Sequence, residues 1–341
     1  MSDKPTNQPS ELNSPIQSNS EGTKADPQST IRDCSTISAN APVQSNLRST
    51  YSLVTPAYNE EKLIGQTIAS VAAQTLLPKE WIIVSDRSSD RTDEIVTQAS
   101  EQHPWIRLLR IEDNEETGFA RVVRNTETGV SQLSEHGHEF IGLLDADVTF
   151  QNDYFERLTS RFLTNPKLGL AGGVVIDVGL PRNVFPRNLK DVPGAVQFFR
   201  RTCFESLGGL IPIPEGGWDG MTCVMSRMNG YETKLMTDLV VDHQKPRNIS
   251  QGGVLRRKYQ MGTRDYAAGY HPLFELLKCA SRITSEKPFL IASVAWGLGY
   301  LGACIKRKTR IVPKEVILFL HGEQMERINP LGRGRVSKAT T

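Results

Sequence analysis

Phe140-Ile141-Gly142-Leu143-Leu144-Asp145-Ala146-Asp147-Val148 reads as a short apolar strand that runs into two carboxylates one residue apart. Alternate carboxylates at a strand end can both lean into a cleft or straddle a cation. Hard oxygen ligands of this kind suit Mg2+ or Mn2+ bridging a diphosphate. A D-x-D in arbitrary sequence more often caps the helix that follows, and it is the position at a strand end that favours a metal site here.

Upstream of this stretch, strand and helix patterns alternate. Residues 51–54 read as a strand that enters a Pro-bearing turn at 55–60. Leu63, Ile64, Ile68, Val71 and Ala72 then recur at spacings of three and four, which places them on one face of a helix. Residues 81–84 read as a second strand, 90–102 as a helix with Asp93 and Glu94 in its first turn, 106–111 as a third strand and 118–133 as a helix. With 140–144 this spells βαβαβαβ, an α/β fold with a mostly parallel sheet and helices on both faces. Ligands of such sheets bind beyond the carboxyl ends of the strands, where the acidic turns lie.

Downstream, 153–163 reads as a helix and 168–176 as a strand, followed by a Pro/Gly-rich stretch over 179–217 suited to an acceptor site. Residues 1–48 are rich in Ser, Asn, Gln, Pro and Thr and cannot bury enough apolar area to offset the entropy of ordering, so a disordered tail is expected. The remaining boundaries fall at 49–150, 151–250 and 251–341, the last a basic helical region.

From Gln251 onward there are 16 lysines and arginines against 6 acidic residues, although the whole chain carries only +2. That asymmetry suits an anionic surface such as a membrane leaflet. Residues 288–305 carry no charge and are followed by Lys306, Arg307, Lys308 and Arg310. The segment is at the lower limit for a bilayer span and also fits a re-entrant hairpin or a buried helix; membrane association is the favoured expectation. Five scattered cysteines without a C-x-x-C pair, and no apolar h-region in the first fifty residues, point to a cytoplasmic protein at the inner face of the plasma membrane. His136-Gly137-His138-Glu139 lacks the spacing of a zinc helix and is expected to be a solvated turn. There is no P-loop and no G-x-G-x-x-G.

Thr55-Pro56-Ala57-Tyr58-Asn59-Glu60-Glu61, the cluster Ser85-Asp86-Arg87-Ser88-Ser89-Asp90, Gly118 through Arg121, Arg124 and Asn125, and Asp145-Ala146-Asp147 occur in an order and spacing that resemble the family 2 glycosyltransferases over about 51–243. The resemblance implies a GT-A-like nucleotide-binding sheet, with a nucleotide-sugar-binding half at 49–150 and an acceptor-binding half holding the catalytic base at 151–250. It implies that Pro56, Tyr58, Glu60, Asp86, Arg121, Arg124, Asn125 and Asp145 line the donor site, and that Asp145 and Asp147 hold Mg2+ or Mn2+, with His243 completing the metal shell in some members. Ser85 and Arg87 depart from the family's D-D-G-S. Gly216-Gly217-Trp218-Asp219 with Arg227 and Gly230 is similar to the stretch where a Glu-Asp pair opens a helix, with Trp218 in place of the Glu. Asp219 is the matching general base.

A nucleotide-sugar carries its own leaving group, so one base and one direct displacement imply an inverting transfer to an acceptor hydroxyl. The resemblance implies a role in polysaccharide or lipid-linked glycan synthesis, with a glycan or lipid-linked acceptor and no nucleic acid partner. A catalytically silent nucleotide-sugar-binding scaffold and a nucleotidyltransferase are the alternatives. The first is suggested by Ser85 and Trp218; the second lacks a basic phosphate-reading motif near the first turn.

Overall fold

β1 (Tyr51–Ala57), β2 (Glu80–Asp86), β3 (Ile106–Ile111) and β4 (Phe140–Leu144) are parallel and lie in the order β3-β2-β1-β4. They belong to a computed structural model that describes residues 50–113, 115–134, 138–179, 188–245, 253–285 and 288–329. The expected tail, 1–48, lies outside the described residues. α1 (Ile64–Ala72), α2 (Thr92–Gln102) and α3 (Phe119–Ser131) form the crossovers. Leu53, Trp81 and Ile83 share one core with Ile64, Ile68 and Val71 of α1, and Val54, Ile82 and Val84 share a second with Val123 of α3. Because strand neighbours point to opposite faces, these two cores show that helices cover both sides of the sheet.

β1 is longer than expected and includes Pro56, which pairs in register with Val84 of β2. Its pairing with β4 stops at Val54 and Leu143. Pro56 therefore has a strand neighbour on one side alone, the place where a strand tolerates a residue without an N–H.

Past β4 the sheet departs from the mostly parallel expectation. β7 (Val196–Arg200) lies antiparallel between β4 and β6 (Leu168–Asp177). β8 (Glu232–His243) is parallel to β6 and antiparallel to the short β5 (Val148–Phe150), so the full order is β3-β2-β1-β4-β7-β6-β8-β5 and the sheet is mixed. The sequence between β6 and β7 has no helical pattern, and a strand reached without a crossover helix runs antiparallel. Over these strands pack α4 (Tyr154–Thr164), α5 (Arg201–Ser206) and α6 (Trp218–Met228).

The C-terminal region is helical as expected: α7 (Val254–Ala267), α8 (Pro272–Ser281), α9 (Ile291–Ile305) and α10 (Lys314–Ile328). α10 is tied back to α6 through Arg227, whose guanidinium donates to both oxygens of Glu323 at 2.6 and 2.8 Å. The uncharged segment 288–305 contains α9, which buries one face and exposes the other, so it is neither a wholly buried helix nor a span. No helix among the described residues is long and apolar enough to cross a membrane.

The histidine-bearing turn at 136–139 also differs from expectation where it is described. His138 is buried, with Nε2 3.6 Å from Glu80 Oε2, and burial lowers its pKa. Of the five cysteines, Cys203, Cys223, Cys279 and Cys304 are free thiols, and Cys34 lies outside the described residues.

Candidate active site

A cleft of about 790 Å³ opens at the carboxyl ends of β1, β2 and β4. Its wall on the β1–β2 side is made by two loops that are stitched together by hydrogen bonds. Asn59 N donates to Ser88 Oγ at 3.2 Å, Glu60 N to Thr92 Oγ1 at 2.8 Å, Glu61 N to Asp90 Oδ2 at 3.0 Å, and Ser89 N to Asn59 Oδ1 at 2.8 Å. Asp90 thus serves the loops themselves, while Pro56, Tyr58 and Glu60 reach the cleft. Tyr58 is 55% exposed at the mouth. Glu60 is held by Lys245, whose Nζ lies 2.6 Å from Oε1. Burial raises the Glu60 pKa, and Lys245 opposes that rise.

Asp86 ends β2 with its carboxylate fully buried at the cleft floor. Asn125 Nδ2 donates to its Oδ2 at 3.0 Å, Arg87 Nε to its Oδ1 at 3.0 Å, and Arg121 Nε lies 3.6 Å from Oδ2. Both departures from the D-D-G-S pattern have a local reason. Ser85 donates its hydroxyl to Asp93, so a carboxylate at 85 would face a second carboxylate. Arg87 keeps the φ of 52° for which a glycine is usual; its bond to Asp86 offsets the roughly 1 to 2 kcal/mol of that conformation.

Three strand ends meet on the opposite side. The Asp145–Asp147 turn links β4 to β5, and Val148, the residue after it, pairs in register with His243 at the end of β8. His243 in turn pairs with Asp177 at the end of β6. Donor atoms of Asp145, Asp147 and His243 all lie within 4.8 Å of one another. His243 Nε2 is 3.5 Å from Asp147 Oδ1, and its Nδ1 is 3.5 Å from Asp177 Oδ1. A carboxylate behind the imidazole is the arrangement that orients a histidine ligand toward a metal. Two carboxylates and an imidazole, largely buried and converging from separate strands, fit a divalent cation.

Asp219 sits in the first turn of α6, after Gly216 and Gly217, both at φ near 90°. The residues entering β7 connect it to the acidic turn: Asp145 N donates to Ala195 O at 2.9 Å, and Gly194 N donates to Asp219 Oδ2 at 3.1 Å. A side chain at 194 would meet Asp219 and Trp218, each 3.2 Å from a Cβ built there, so glycine is what allows this approach. Gly118 plays the same part across the cleft, where a Cβ would come within 2.6 Å of the Pro214 carbonyl oxygen.

Of the residues expected from sequence, Pro56, Tyr58, Glu60, Asp86, Arg121, Asn125, Asp145, Asp147, Asp219 and His243 all line this one cleft. Arg124 is not brought to it. That side chain turns outward to Glu127 at 3.1 Å and Glu116 at 3.4 Å. Sequence reasoning missed Asp177, Lys245, Arg257 and Arg264. Asp177 carries the same signal as Asp145, a carboxylate at a strand end, whereas the three bases come from segments with no motif. Burial works against the charge of Arg264, but Asp265, Tyr270 and Asp219 outweigh it and raise the pKa. A smaller cavity of about 250 Å³ adjoins the cleft, sharing Gly217, Asp219 and Arg264 with it and bounded also by Asp191, Gly220 and Tyr270.

Comparison with known proteins agrees with this architecture. Residues 52–212 match the family model described as glycosyl transferase family 2. Poly-beta-1,6-N-acetyl-D-glucosamine synthase of Staphylococcus epidermidis is 32% identical over 122 residues, which is 36% of this chain and 27% of that protein. The Staphylococcus aureus (strain COL) protein of the same name is 31% identical over 116 residues, 34% and 26% of the two chains. The match therefore spans about a quarter of the length of these relatives. Among solved structures, the mannosyltransferase PcManGT from Pyrobaculum calidifontis, in complex with GDP-Man and Mn2+, superposes with a TM-score of 0.50 at 18% identity over 82% of this chain and 81% of that one. S. aureus TarS does so with a TM-score of 0.51 at 16% identity over 80% and 50%. These structures share the fold, a GT-A-like α/β arrangement. Over residues 52–212, the chain carries a domain of the glycosyl transferase family 2.

Proposed function

We propose that the protein is an inverting glycosyltransferase that moves a sugar from a nucleotide-sugar donor to an acceptor hydroxyl in polysaccharide or lipid-linked glycan synthesis. The observation that carries this reading is the convergence of Asp145, Asp147 and His243 with Asp219 in one cleft whose other wall is the pre-ordered pair of loops at 55–61 and 85–92. Asp86, with Asn125 and Arg121 behind it, presents a fixed acceptor to a base N–H, and Tyr58 offers an exposed ring at the mouth. Fixing these groups before the donor arrives lowers the entropy cost of positioning it.

Asp145, Asp147 and His243 would hold a divalent cation, with an imidazole among the ligands favouring Mn2+ over the strictly oxygen-seeking Mg2+. When bound, such a cation supplies Lewis-acid stabilisation to the diphosphate of the donor. Arg264, Arg257 and Arg121 add positive charge around the same space. Asp219 accepts the proton of the attacking hydroxyl. One of its oxygens is anchored by Gly194 N, which aims the carboxylate without a second titratable group. The small cavity that shares Asp219 with the cleft takes the acceptor, so that the base borders both substrates. The acceptor is a glycan or lipid-linked glycan, and the protein works in the cytoplasm at the inner face of the plasma membrane.

A panel of nucleotide-sugars tests this, scored by nucleoside diphosphate release with Mn2+, with Mg2+ and with EDTA. Release from at least one donor, lost in EDTA and in Asp147→Asn while the circular dichroism spectrum is unchanged, is the expected result. Metal-independent release, or an Asp147→Asn variant with normal turnover, would remove the metal assignment; no release from any donor would favour a silent binder.

A further inference from the structure

Helix α9 has two apolar faces, one packed on the chain and the other largely exposed among the described residues. Ala292, Trp296, Gly299, Tyr300 and Ala303 point inward against α7 and α8. Ile291, Val294, Leu298, Leu301 and Ile305 recur at spacings of three and four on the opposite side and are 49 to 73% exposed. Just before the helix, Phe289 and Leu290 are also more than half exposed, and Leu290 holds a φ of 63°, a region that L-residues rarely occupy. The neighbouring α8 adds exposed Leu273, Leu276 and Leu277. Single exposed leucines are ordinary, but an aligned stripe of this length marks a surface that something covers.

We propose that this stripe is a docking surface for an anionic lipid leaflet, into which α9 lies in the plane of the interface with Phe289 and Leu290 as its leading edge. Charge selects the occupant. α9 has no charged residue, and the chain that leaves it is Lys306-Arg307-Lys308, with Lys306 and Arg307 exposed. Hydrocarbon beside anionic headgroups is the pattern that an apolar stripe ending in lysine and arginine matches. A second copy of the chain matches it less well: α8 and α9 expose no carboxylate, since Glu275 is buried against Lys278. Crossing the bilayer is excluded for α9, because 15 residues rise about 22 Å against a hydrocarbon core of about 30 Å and its inner face is occupied. This inference deepens the membrane placement proposed above and is independent of the transfer chemistry.

The test is co-sedimentation of the full chain with phosphatidylcholine vesicles, with and without phosphatidylglycerol, in the absence of donor. Binding is expected with phosphatidylglycerol and about 30-fold weaker without it, from two basic residues at the surface. Leu298→Gln with Leu301→Gln should weaken binding at least about tenfold, and Lys306→Gln with Arg307→Gln should abolish the preference for anionic lipid. Both variants should keep the circular dichroism spectrum and the nucleoside diphosphate release of the parent. Should the leucine pair disturb folding, Ile305→Gln at the exposed end of the stripe gives the same readout. No binding to either vesicle, or variants that bind like the parent, would overturn the proposal. So would light scattering that shows a dimer dispersed by the leucine variant, which assigns the stripe to a second copy. Donor release that fails while vesicle binding succeeds would sink the enzymatic reading and leave this one standing.

Discussion

Gly262→Ala probes the joint between the cleft and the C-terminal helices, because α7 and α9 cross there backbone to backbone. A Cβ on residue 262 would lie inside the van der Waals shell of the Trp296 carbonyl oxygen and 2.6 Å from Tyr300 N; one on Gly299 would collide with the Tyr259 carbonyl group, 2.8 Å from its carbon. None of these atoms is a flexible side-chain end, so the helices themselves must part. Bringing 2.6 Å to an ordinary contact of about 3.4 Å already requires a shift of about 0.8 Å, the nearer Trp296 oxygen demands more, and the parting forfeits much of the dispersion attraction on both sides. Overpacking of this kind costs about 3 kcal/mol. With a urea m-value of about 3 kcal/mol/M, the midpoint should fall by about 1 M. Trp296 lies at the crossing, so its fluorescence reports the transition. Arg257 and Arg264 ride on α7, so donor affinity should drop as well. A midpoint within about 0.2 M of the parent, with unchanged donor affinity, would refute the close-packed crossing.

Asp219→Asn should keep donor binding, measured calorimetrically, and lose turnover by at least about a hundredfold, as removal of a general base does; a collapse of donor affinity would instead make Asp219 a structural residue of the α6 entry. Arg227→Met should cost about 3 to 5 kcal/mol in urea unfolding, because it strands Glu323 and removes donors to the Lys190 carbonyl and Thr233; a loss below about 1 kcal/mol would contradict the tie between α6 and α10. Glu275→Gln should change the pH dependence of stability. Burial raises the Glu275 pKa, with Lys278 opposing and Asp265 adding to the rise. A carboxyl whose folded pKa is raised loses stability as pH climbs from its ordinary value through the raised one. The melting temperature of the parent should therefore fall relative to the variant as pH rises above about 4, and parallel curves would exclude the effect.

The donor half of the fold was legible because its signals are local. Strand 140–144 and strand 106–111 lie where the apolar runs end, and the helices between them start and stop within about two residues of their periodic patterns. The acceptor half was not. β7 is the five-residue run Val-Gln-Phe-Phe-Arg inside a Pro/Gly-rich stretch, and β8 mixes polar and apolar residues in runs of two and three, without the period of two that marks a strand, while one of its partners, β5, has three residues. Neither run reveals which strand it joins, and the antiparallel insertion of β7 is decided by packing alone. Asp86, Asp145 and Asp147 could be found because each sits at a strand end, whereas Asp219, in the first turn of α6, was reached through the family resemblance. Arg257 and Arg264 could not be found, since they are two of four basic residues on a helix more than a hundred positions past Asp147 and reach the cleft only by tertiary folding. Arg124 shows the converse: a motif position is a helix position, and Glu127, three residues on, competes successfully for it.

The two proposals meet on α7. One side of that helix carries Arg257 and Arg264 into the cleft and, through Arg264, Asp265 and Ala268, walls the small cavity beside Asp219. The other side is pressed onto α9 at the glycine pair. Trp296 of α9 donates to Asp265 Oδ2 at 2.6 Å, and Lys278 of α8 bonds the same oxygen, so the helix that bears the exposed stripe and the helix that bears the acceptor wall share one buried ion. A carboxylate so deeply buried needs all of these donors, and removing one leaves the others unable to compensate for its lost hydration. The wall of the small cavity is thereby tied to the surface proposed for lipid contact. On the two proposals together, an acceptor anchored in a leaflet would meet Asp219 with its tether still in the membrane, and the basic, apolar C-terminal helices would belong where α7 places them, against the cavity proposed for the acceptor.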